Sequence, residues 1–187
     1  MLKELLKGLG RILNEEKISY MIIGGQAVLL YGEPRFTRDI DITVSLSPQE
    51  WKKVLRVAEK CRLRPLVENP EDFVKKTMVL PCLDEETSFR VDFIFSTSPY
   101  EKEAMKRRRK IEMDKIPVYF ISPEDLVVFK LVAGRPRDIE DVEGILAKTE
   151  VDESYIKKKL RMFDKALSLN TLPLFEKILL KSKEKSV

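Results

Sequence analysis

The sequence contains no histidine among its 187 residues. This absence excludes a serine or cysteine hydrolase that uses a histidine base, and it excludes a zinc site with histidine ligands. Any chemistry must therefore use Asp, Glu, Lys, Arg or Tyr side chains, or a metal ion that is held by oxygen atoms. Carboxylate oxygens favour Mg²⁺ or Mn²⁺ as that ion.

Cysteine is nearly as scarce, since the chain has only Cys61 and Cys82. They lie far apart without the spacing of a metal site, so we expect two ordinary thiols of a cytoplasmic protein. No stretch of about 18 uncharged apolar residues occurs, so we expect no membrane-spanning helix. The segment 1–17 carries too many charges for a secretory signal, which also favours a cytoplasmic location.

Asparagine and glutamine together number five, whereas charged residues make up 35% of the chain. This balance is typical of proteins from hot environments, and we expect a thermophile source. The net charge is +4, and the densest basic run, "KRRRK", lies at residues 106–110. Such a run is either a solvated face or a contact surface for nucleic acid.

The spacing of apolar residues predicts a first half of mixed type and a helical second half. In the first half, the pattern predicts a helix at 2–16, a strand at 19–23, a helix at 26–32, a strand at 39–44, a helix at 48–60 and strands at 77–83, 89–95 and 116–121. The segment 99–110 is either a helix or a basic loop. From residue 122 onward the pattern predicts helices at 123–133, 137–149, 152–166 and 171–184.

This order of elements predicts an α+β fold, because strands and helices do not alternate as they do in a doubly wound parallel sheet. The change of pattern predicts an α/β core at 1–121 and a helical C-terminal subdomain at 122–187. The apolar segment 172–185 in the last helix either packs on the core or forms a dimer contact. An oligomer is therefore one of the expected states.

Two carboxylates lie close together in the predicted strand "DIDITV", at Asp39 and Asp41. Side chains two residues apart on a strand share a face, so these carboxylates point the same way. They repel each other unless a cation lies between them or one pKa is raised. The pair is therefore either a solvated strand face or half of a metal site.

A third carboxylate, Asp92, lies within the apolar strand segment "VDFIF". An unpaired carboxylate in apolar surroundings costs several kcal/mol of desolvation. We therefore expect Asp92 either to pair with a basic group such as Arg90 or to ligate a metal. Three acids on two strands can form an oxygen-rich site for two Mg²⁺ ions, as in phosphoryl transfer.

Gly24 and Gly25 lie between a predicted strand and a predicted helix. They match neither a Walker A loop nor the G-x-G-x-x-G pattern. The pair is either a tight turn that needs a positive φ, or a place where a phosphate group approaches the N-terminus of a helix.

These segments together resemble the DNA polymerase β-type nucleotidyltransferase superfamily, which has a Gly-Gly or Gly-Ser turn, an Asp-x-Asp and a third acid between hydrophobic residues. The closer likeness is to the small nucleotidyltransferases that include the AbiE-type abortive-infection toxins. Their patterns R-x-T-x-D-I-D and P-E-D-L-x-x-x-K-L-x-A-x-R-x-R-D-x-x-D-V correspond to residues 35–41 and 123–142. The likeness covers residues 19–146 and implies a nucleotidyltransferase-type mixed β-sheet with flanking helices.

The resemblance also implies roles in catalysis and metal binding. Asp39 and Asp41 would bind metal, and Asp92 would bind the second of two Mg²⁺ or Mn²⁺ ions and help to deprotonate the acceptor hydroxyl. Thr37 would orient the metal site. Gly24 would hold the triphosphate of the bound nucleotide, together with its neighbour in the turn.

Further residues would bind the nucleotide or support those that do. The resemblance assigns to this group Gly25, Lys130, Arg137 and Asp138. Lys130 would reach the phosphates. Either Asp138 would support that lysine, or Arg137 would contact the nucleotide. Without the resemblance, the sequence favours a surface location for Lys130. Arg35 is either a phosphate ligand or the structural partner of an acid. Gly25 departs from relatives with serine there and lacks the hydroxyl contact.

The implied activity is transfer of a nucleoside monophosphate from a nucleoside triphosphate to an acceptor, with release of pyrophosphate. The acceptor is a tRNA or other RNA end, a protein hydroxyl or a small molecule, and a toxin of this kind has a cognate antitoxin protein as its partner. A non-catalytic nucleotide-binding or regulatory module is the alternative. "DIDITV" also satisfies the D-x-D-x-[TV] pattern of phosphatases, but there the apolar strand precedes the first Asp, whereas here it follows.

Overall fold

The computed structural model describes residues 1–96 and 98–184. The helices are α1 (Leu2–Glu15), α2 (Gly24–Tyr31), α3 (Trp51–Lys60), α4 (Pro70–Thr77), α5 (Pro99–Arg107), α6 (Pro123–Ala133), α7 (Pro136–Lys148), α8 (Glu153–Leu167) and α9 (Thr171–Glu184). The strands are β1 (Tyr20–Ile23), β2 (Asp39–Val44), β3 (Leu63–Pro65), β4 (Val79–Asp84), β5 (Phe89–Phe95), β6 (Arg109–Met113) and β7 (Ile116–Phe120). A short 3₁₀ turn, Pro48–Glu50, precedes α3.

These elements divide between two compact units. The first contains Met1–Gln26 and Phe36–Ile121, and the second contains Ala27–Arg35 together with the chain from Ser122 onward. The division into domains at residue 122 stays a prediction, because a compact unit is not thereby shown to fold alone. Lys185, at the end of the predicted dimer contact, lies outside the described residues.

The first unit is built on a mixed sheet with the strand order β3-β4-β5-β2-β1-β7-β6. β2 runs parallel to β5 and β1 runs parallel to β7, whereas the other neighbouring strands are antiparallel. The central strands are apolar and buried, as strands covered on their faces must be. The predicted α+β fold with a mixed sheet is confirmed.

The core of the first unit forms where α1 packs on β7, where α3 packs on β3 and β4, and where α4 packs on β4. Leu9 and Leu13 of α1 are fully buried, at the helical spacing that the sequence predicted. Ile42 and Phe93 of the central strands are also fully buried. Burial of these side chains fixes the two central strands in place, and the candidate site lies on those strands.

The second unit is helical, with α6 in contact with α7, α8 and α9. α6 begins at a typical start signal: Ser122 accepts a hydrogen bond from the Asp125 N–H at 3.1 Å, and Pro123 is the first helical residue. It ends at Gly134, whose φ of 65° suits a left-handed cap. Most residues of α6 are buried, including the charged Glu124, Asp125 and Lys130, so the helix is covered on most of its sides.

Three described elements were not predicted from the sequence, namely β3, α4 and β6. β3 has only three residues, which is too few to show the alternation of apolar and polar residues that predicts a strand. α4 does carry a start signal, since the side chain of Asn69 accepts a hydrogen bond from the Asp72 N–H and Pro70 follows it. The predicted strand at 77–83 is found at Val79–Asp84.

The basic run at 106–110 crosses an element boundary. The prediction for 99–110 was a helix or a basic loop, whereas α5 ends at Arg107 and β6 begins at Arg109. The alternation of apolar and polar residues is weak in β6, because β6 is an edge strand with mostly exposed side chains. Over residues 1–96 and 98–184, no helix combines the length and the apolar character that crossing a membrane requires.

Candidate active site

The side chains of β2 alternate between a buried and a more exposed face. Ile40 and Ile42 are fully buried, whereas Asp39 is exposed and Asp41 is partly exposed. The period of two in an extended chain produces this pattern, so both carboxylates lie on one face of the sheet as the sequence predicted. β2 begins at Asp39, so the apolar strand follows the first Asp and does not precede it as in the phosphatase pattern.

The neighbouring strand β5 brings the third carboxylate to the same face. In the parallel register of β2 with β5, Asp41 lies opposite Asp92 and Asp39 lies opposite Arg90. Adjacent strands are about 4.8 Å apart, so each pair is in close lateral contact. Residues separated by some fifty positions in the chain thereby become neighbours on the sheet.

A basic group is already present among these acids. Arg90 donates from Nε to Asp92 Oδ1 at 2.8 Å, and its side chain is 50% exposed whereas that of Asp92 is 18% exposed. The hydrogen bond that Arg90 donates to Asp92 raises the pKa of Arg90, and the charges of Asp92, Asp39 and Asp41 add to the rise. Of the two predicted states of Asp92, paired or metal-bound, the structure has the Arg90 pair.

Gly24 makes room for one of the carboxylates. Its φ is +62°, and a Cβ atom at this position would lie 2.0 Å from Asp41 Oδ2. Any side chain here would both strain the backbone and displace the Asp41 carboxylate. The glycine is therefore required by a close approach of β2, and it is also the first residue of α2.

Gly25 likewise leaves space for a neighbouring side chain, that of Thr37. An added Cβ would lie 2.8 Å from Thr37 Oγ1 and 3.1 Å from the two Thr37 carbons Cβ and Cγ2. The Asp39 N–H in turn points to Thr37 Oγ1 at 3.4 Å. We therefore correct one prediction: the glycines do not precede the helix but form its first turn, with the segment before β2 packed against them.

Gln26 is a positioning residue that the sequence reasoning missed. Its side chain is 4% exposed, and Nε2 donates to the Asp39 carbonyl oxygen at 3.2 Å. This bond ties the start of β2 to the first turn of α2. The sequence did contain a signal for this role, because Gln26 is a polar residue directly after Gly-Gly in an otherwise apolar helix.

The donor set suits a hard divalent cation, since it consists of carboxylate oxygens. Asp39, Asp41 and Asp92 share a face, and the space that a Cβ of Gly24 would fill is taken by the Asp41 carboxylate. In residues 1–96 and 98–184, however, no three acidic or cysteine side chains stand close enough to hold one ion between them. The chemistry of these residues fits a metal, while Asp92 is occupied by Arg90.

A second cluster of predicted residues lies in the helical unit around Lys130. The Lys130 ammonium donates to Asp138 Oδ1 at 2.7 Å and lies 2.8 Å from Asp141 Oδ2. The Lys130 side chain is only 8% exposed, so it is not the surface lysine that the sequence alone favoured. Arg35 adds a bidentate contact to Asp141, at 2.8 Å from Nε and 3.1 Å from Nη2.

Asp138 is the other buried acid of this cluster. Burial opposes its ionisation, but hydrogen bonds from Arg135 and Lys130 outweigh that effect and lower the pKa of Asp138. Arg135 contacts it from Nε at 2.6 Å. The contact between Lys130 and Asp138 is the one that the prediction named.

The sequence reasoning assigned no role to Asp141 or Arg135, although both fall in the quoted pattern. Asp138 and Asp141 are three residues apart, a helical spacing that places them on one face of α7. Arg137 is exposed. Nucleotide binding by Arg35, Lys130, Arg137 and Asp138 stays a prediction, since their described contacts join residues of the helical unit to one another.

The sequence model of the family described as nucleotidyltransferase of unknown function (DUF6036) matches residues 1–172. Comparison with curated proteins gives no match.

Solved structures with a similar fold include nucleotidyltransferase-like proteins. An antigenic nucleotidyltransferase-like protein from Paracoccidioides brasiliensis is 16% identical with a TM-score of 0.56, over 95% of this chain and 91% of that one. The antibiotic-resistance factor ANT(2'')-Ia is 12% identical with a TM-score of 0.54, over 99% and 92%. The lincosamide antibiotic adenylyltransferase LnuA, in its lincomycin-bound form, is 18% identical with a TM-score of 0.52, over 72% and 90%. At these identities the likeness shows the fold alone.

Proposed function

Since the chain belongs to the family of nucleotidyltransferases of unknown function (DUF6036), we propose that it transfers a nucleoside monophosphate from a nucleoside triphosphate to an acceptor hydroxyl. The acceptor oxygen attacks the α-phosphorus, the bond from that phosphorus to the bridging oxygen breaks, and pyrophosphate leaves. The observation that carries the proposal is the register that sets Asp41 beside Asp92, with Asp39 on the same face.

Asp39, Asp41 and Asp92 are the residues that would hold two Mg²⁺ or Mn²⁺ ions. When bound, such ions neutralise the charge that develops on the attacking and leaving oxygens. Asp92 accepts the proton of the acceptor hydroxyl, and the Asp41 carboxylate takes the space that a side chain at Gly24 would fill. Thr37 and Gln26 fix the start of β2, so that Asp39 stays on the same face as Asp41.

Gly24 and Gly25 are the proposed binding place for the triphosphate. They form the first turn of α2, where backbone N–H groups lack helical partners and the helix dipole favours an anion. The spaces that side chains would fill at these residues hold Asp41 and Thr37, so a phosphate group would approach the backbone N–H groups beside those two side chains. The phosphates would thus lie near Asp41, whose carboxylate takes the space that a Cβ atom of Gly24 would fill.

Two acceptor classes have support. One similar structure is named as a lincosamide antibiotic adenylyltransferase and another as an antibiotic-resistance factor, which supports a small-molecule hydroxyl as the acceptor. The basic run 106–110 supports an RNA end, since Lys106, Arg109 and Lys110 are exposed. Arg108 of this run instead lies over the Tyr119 ring at 4.7 Å and donates to the Met105 carbonyl.

The AbiE-type likeness adds a biological proposal, a toxin with a protein antitoxin as its partner. It rests on the residue patterns at 35–41 and 123–142. The alternative, a nucleotide-binding module without catalysis, predicts binding of Mg·ATP with no pyrophosphate release, so one assay separates the two.

The test is incubation of the protein with each α-labelled nucleoside triphosphate and Mg²⁺, in the presence of total RNA, protein extract or a small-molecule fraction. We expect pyrophosphate release and transfer of label to one fraction. Asp41→Asn should reduce the rate at least about 100-fold, the loss expected when a group that stabilises transition-state charge is removed. Asp114→Asn, which alters an exposed carboxylate paired with Lys3 and Lys7, is the matched control and should retain the rate.

Absence of labelled product from every triphosphate and every fraction would contradict the proposal. Equal rates for the wild type and Asp41→Asn would contradict the assigned role of the carboxylates even if label were transferred.

A further inference from the structure

We propose that Arg90 is a built-in counter-ion of the carboxylate face, which holds Asp92 in the metal-free protein and competes with a divalent cation for it. This inference rests on the proposed function, because it concerns the same three carboxylates. Arg90 acts through Asp92, so it is a positioning residue and not a group that reacts.

The register of β2 and β5 determines which acids Arg90 can neutralise. Asp39 lies beside Arg90 across the strands, and Asp41 lies beside Asp92. The Arg90 guanidinium is bonded to Asp92 at 2.8 Å, so it lies on the face that carries all three carboxylates. At these four positions the side chains carry one formal positive and three formal negative charges, an excess of two negative charges among these residues alone.

The remaining excess explains why a divalent cation is still attracted while Arg90 is in place. A like-charged guanidinium repels the incoming ion, and the Asp92 oxygen that accepts from Arg90 has lost a lone-pair direction that a metal would use. Full use of Asp92 by a metal therefore requires the bond to Arg90 to break or to lengthen.

The exposure of Arg90 makes such an exchange inexpensive. Its side chain is 50% exposed, so the guanidinium can turn into solvent on its long aliphatic stem while the strand stays in place. A half-exposed ion pair is also weak, because solvent screens it. The buried pairs of Lys130 in the helical unit have no such freedom, since that side chain is 8% exposed.

The role of Arg90 in the metal-free protein follows from the same charges. Without a cation, three neighbouring carboxylates repel one another and destabilise the pairing of β2 with β5. Arg90 reduces this repulsion, so the sheet can form before any metal binds. The cost is a lower affinity for the metal when no nucleotide is present.

The experiment is a titration of the nucleotide-free full chain with Mn²⁺ alone, in which free Mn²⁺ is measured by electron paramagnetic resonance. Arg90→Met removes the charge and keeps a long side chain. It should bind Mn²⁺ roughly two- to fivefold more tightly than the wild type, the range expected when a partly screened ion pair is removed. Arg90→Lys keeps the positive charge and should stay within about twofold of the wild type.

Arg64→Met is the matched control. Arg64 is 54% exposed, its Nε contacts the Glu85 carboxylate at 2.6 Å, and it lies on the edge strand β3. Its loss should leave Mn²⁺ affinity unchanged. Arg90→Gln gives a second uncharged variant, and circular dichroism with a thermal melt identifies any variant that does not fold.

The outcomes separate this inference from the proposed function. If Asp41→Asn weakens Mn²⁺ binding but Arg90→Met and Arg90→Gln bind Mn²⁺ no more tightly than the wild type, the role of Arg90 is wrong and the metal site stands. If no protein, Arg90→Met included, binds Mn²⁺ with or without ATP, the metal-dependent function itself is wrong. A gain in Arg90→Met that Asp41→Asn abolishes supports both.

Discussion

Gly24 illustrates at the scale of one residue how the chain brings a carboxylate against a helix start. Its φ of +62° is unfavourable for any other residue, and the space beside it is filled by Asp41 Oδ2. These two requirements are independent, because one concerns the backbone of Gly24 and the other the position of β2. A substitution therefore affects both the stability of the turn and the placement of the acid.

We predict that Gly24→Ala destabilises the protein by about 1–3 kcal/mol, the cost of a non-glycine residue in the left-handed region. It should also weaken Mn²⁺ binding, because the new Cβ displaces the Asp41 carboxylate. Urea denaturation measures the first effect, and the Mn²⁺ titration measures the second.

Gly8→Ala is the control for this prediction. Gly8 lies in the middle of α1, and an added Cβ there meets no atom within 4 Å. We expect alanine to stabilise the helix by about 0.5–1 kcal/mol and to leave metal binding unchanged. Equal behaviour of the two variants would contradict the account of Gly24.

At the scale of elements, the helical unit depends on charges that join α6 to α7. Lys130 of α6 lies between Asp138 and Asp141 of α7, and Arg35 binds Asp141 from the segment that follows α2. All four groups are buried or mostly buried, so removal of one cation leaves a carboxylate without full compensation. The helix spacing that aligns the two acids on α7 was visible in the sequence, and the family resemblance named the contact of Lys130 with Asp138, but nothing indicated its contact with Asp141.

We predict that Lys130→Met lowers the free energy of unfolding by about 3–5 kcal/mol, since both buried acids lose a partner. Lys148→Met removes a lysine that pairs with Glu33 at 2.9 Å and is 45% exposed. This exposed pair should contribute no more than about 1 kcal/mol. Urea denaturation of both variants makes the comparison, and a loss below about 1 kcal/mol for Lys130→Met would show that the cluster does not stabilise the unit.

At the scale of the whole molecule, binding of a ligand to the folded state alone must raise stability. The proposed function names Mg²⁺ together with a nucleoside triphosphate as that ligand. Since the three carboxylates and the two glycines lie in the first unit, a ligand held there stabilises the sheet that carries them.

We predict that Mg²⁺ with α,β-methylene-ATP, which cannot be cleaved between the α and β phosphates, raises the melting temperature. At a ligand concentration of about 100 Kd the gain is roughly 2.7 kcal/mol. For a chain of 187 residues this corresponds to an increase of roughly 5–10 °C. Differential scanning fluorimetry gives the measurement.

The same scan on Asp39→Asn/Asp41→Asn should show no increase, and EDTA should abolish the increase in the wild type. A shift of equal size without Mg²⁺ would argue against metal dependence, whereas a shift retained in the double variant would place the nucleotide elsewhere.

The sequence by itself determined the residue types and the local geometry of the candidate site. The lack of histidine limited the chemistry to Asp, Glu, Lys, Arg and Tyr side chains or a metal ion held by oxygen atoms, and the alternation in "DIDITV" placed Asp39 and Asp41 on one face. Start signals such as Ser122-Pro123 also located helices, because capping depends on residues next to one another in the chain. The fold class followed from the order of these elements.

Only the tertiary structure decided which distant residues meet. The pairing of Asp41 with Asp92 depends on the register of two parallel strands, and a slip of one residue would turn Asp92 to the other face. The burial of Lys130 between two acids depends on the packing of α6 on α7, so its neighbours in the chain gave no sign of it. Such contacts arise from the whole pattern of burial, which local periodicity does not contain.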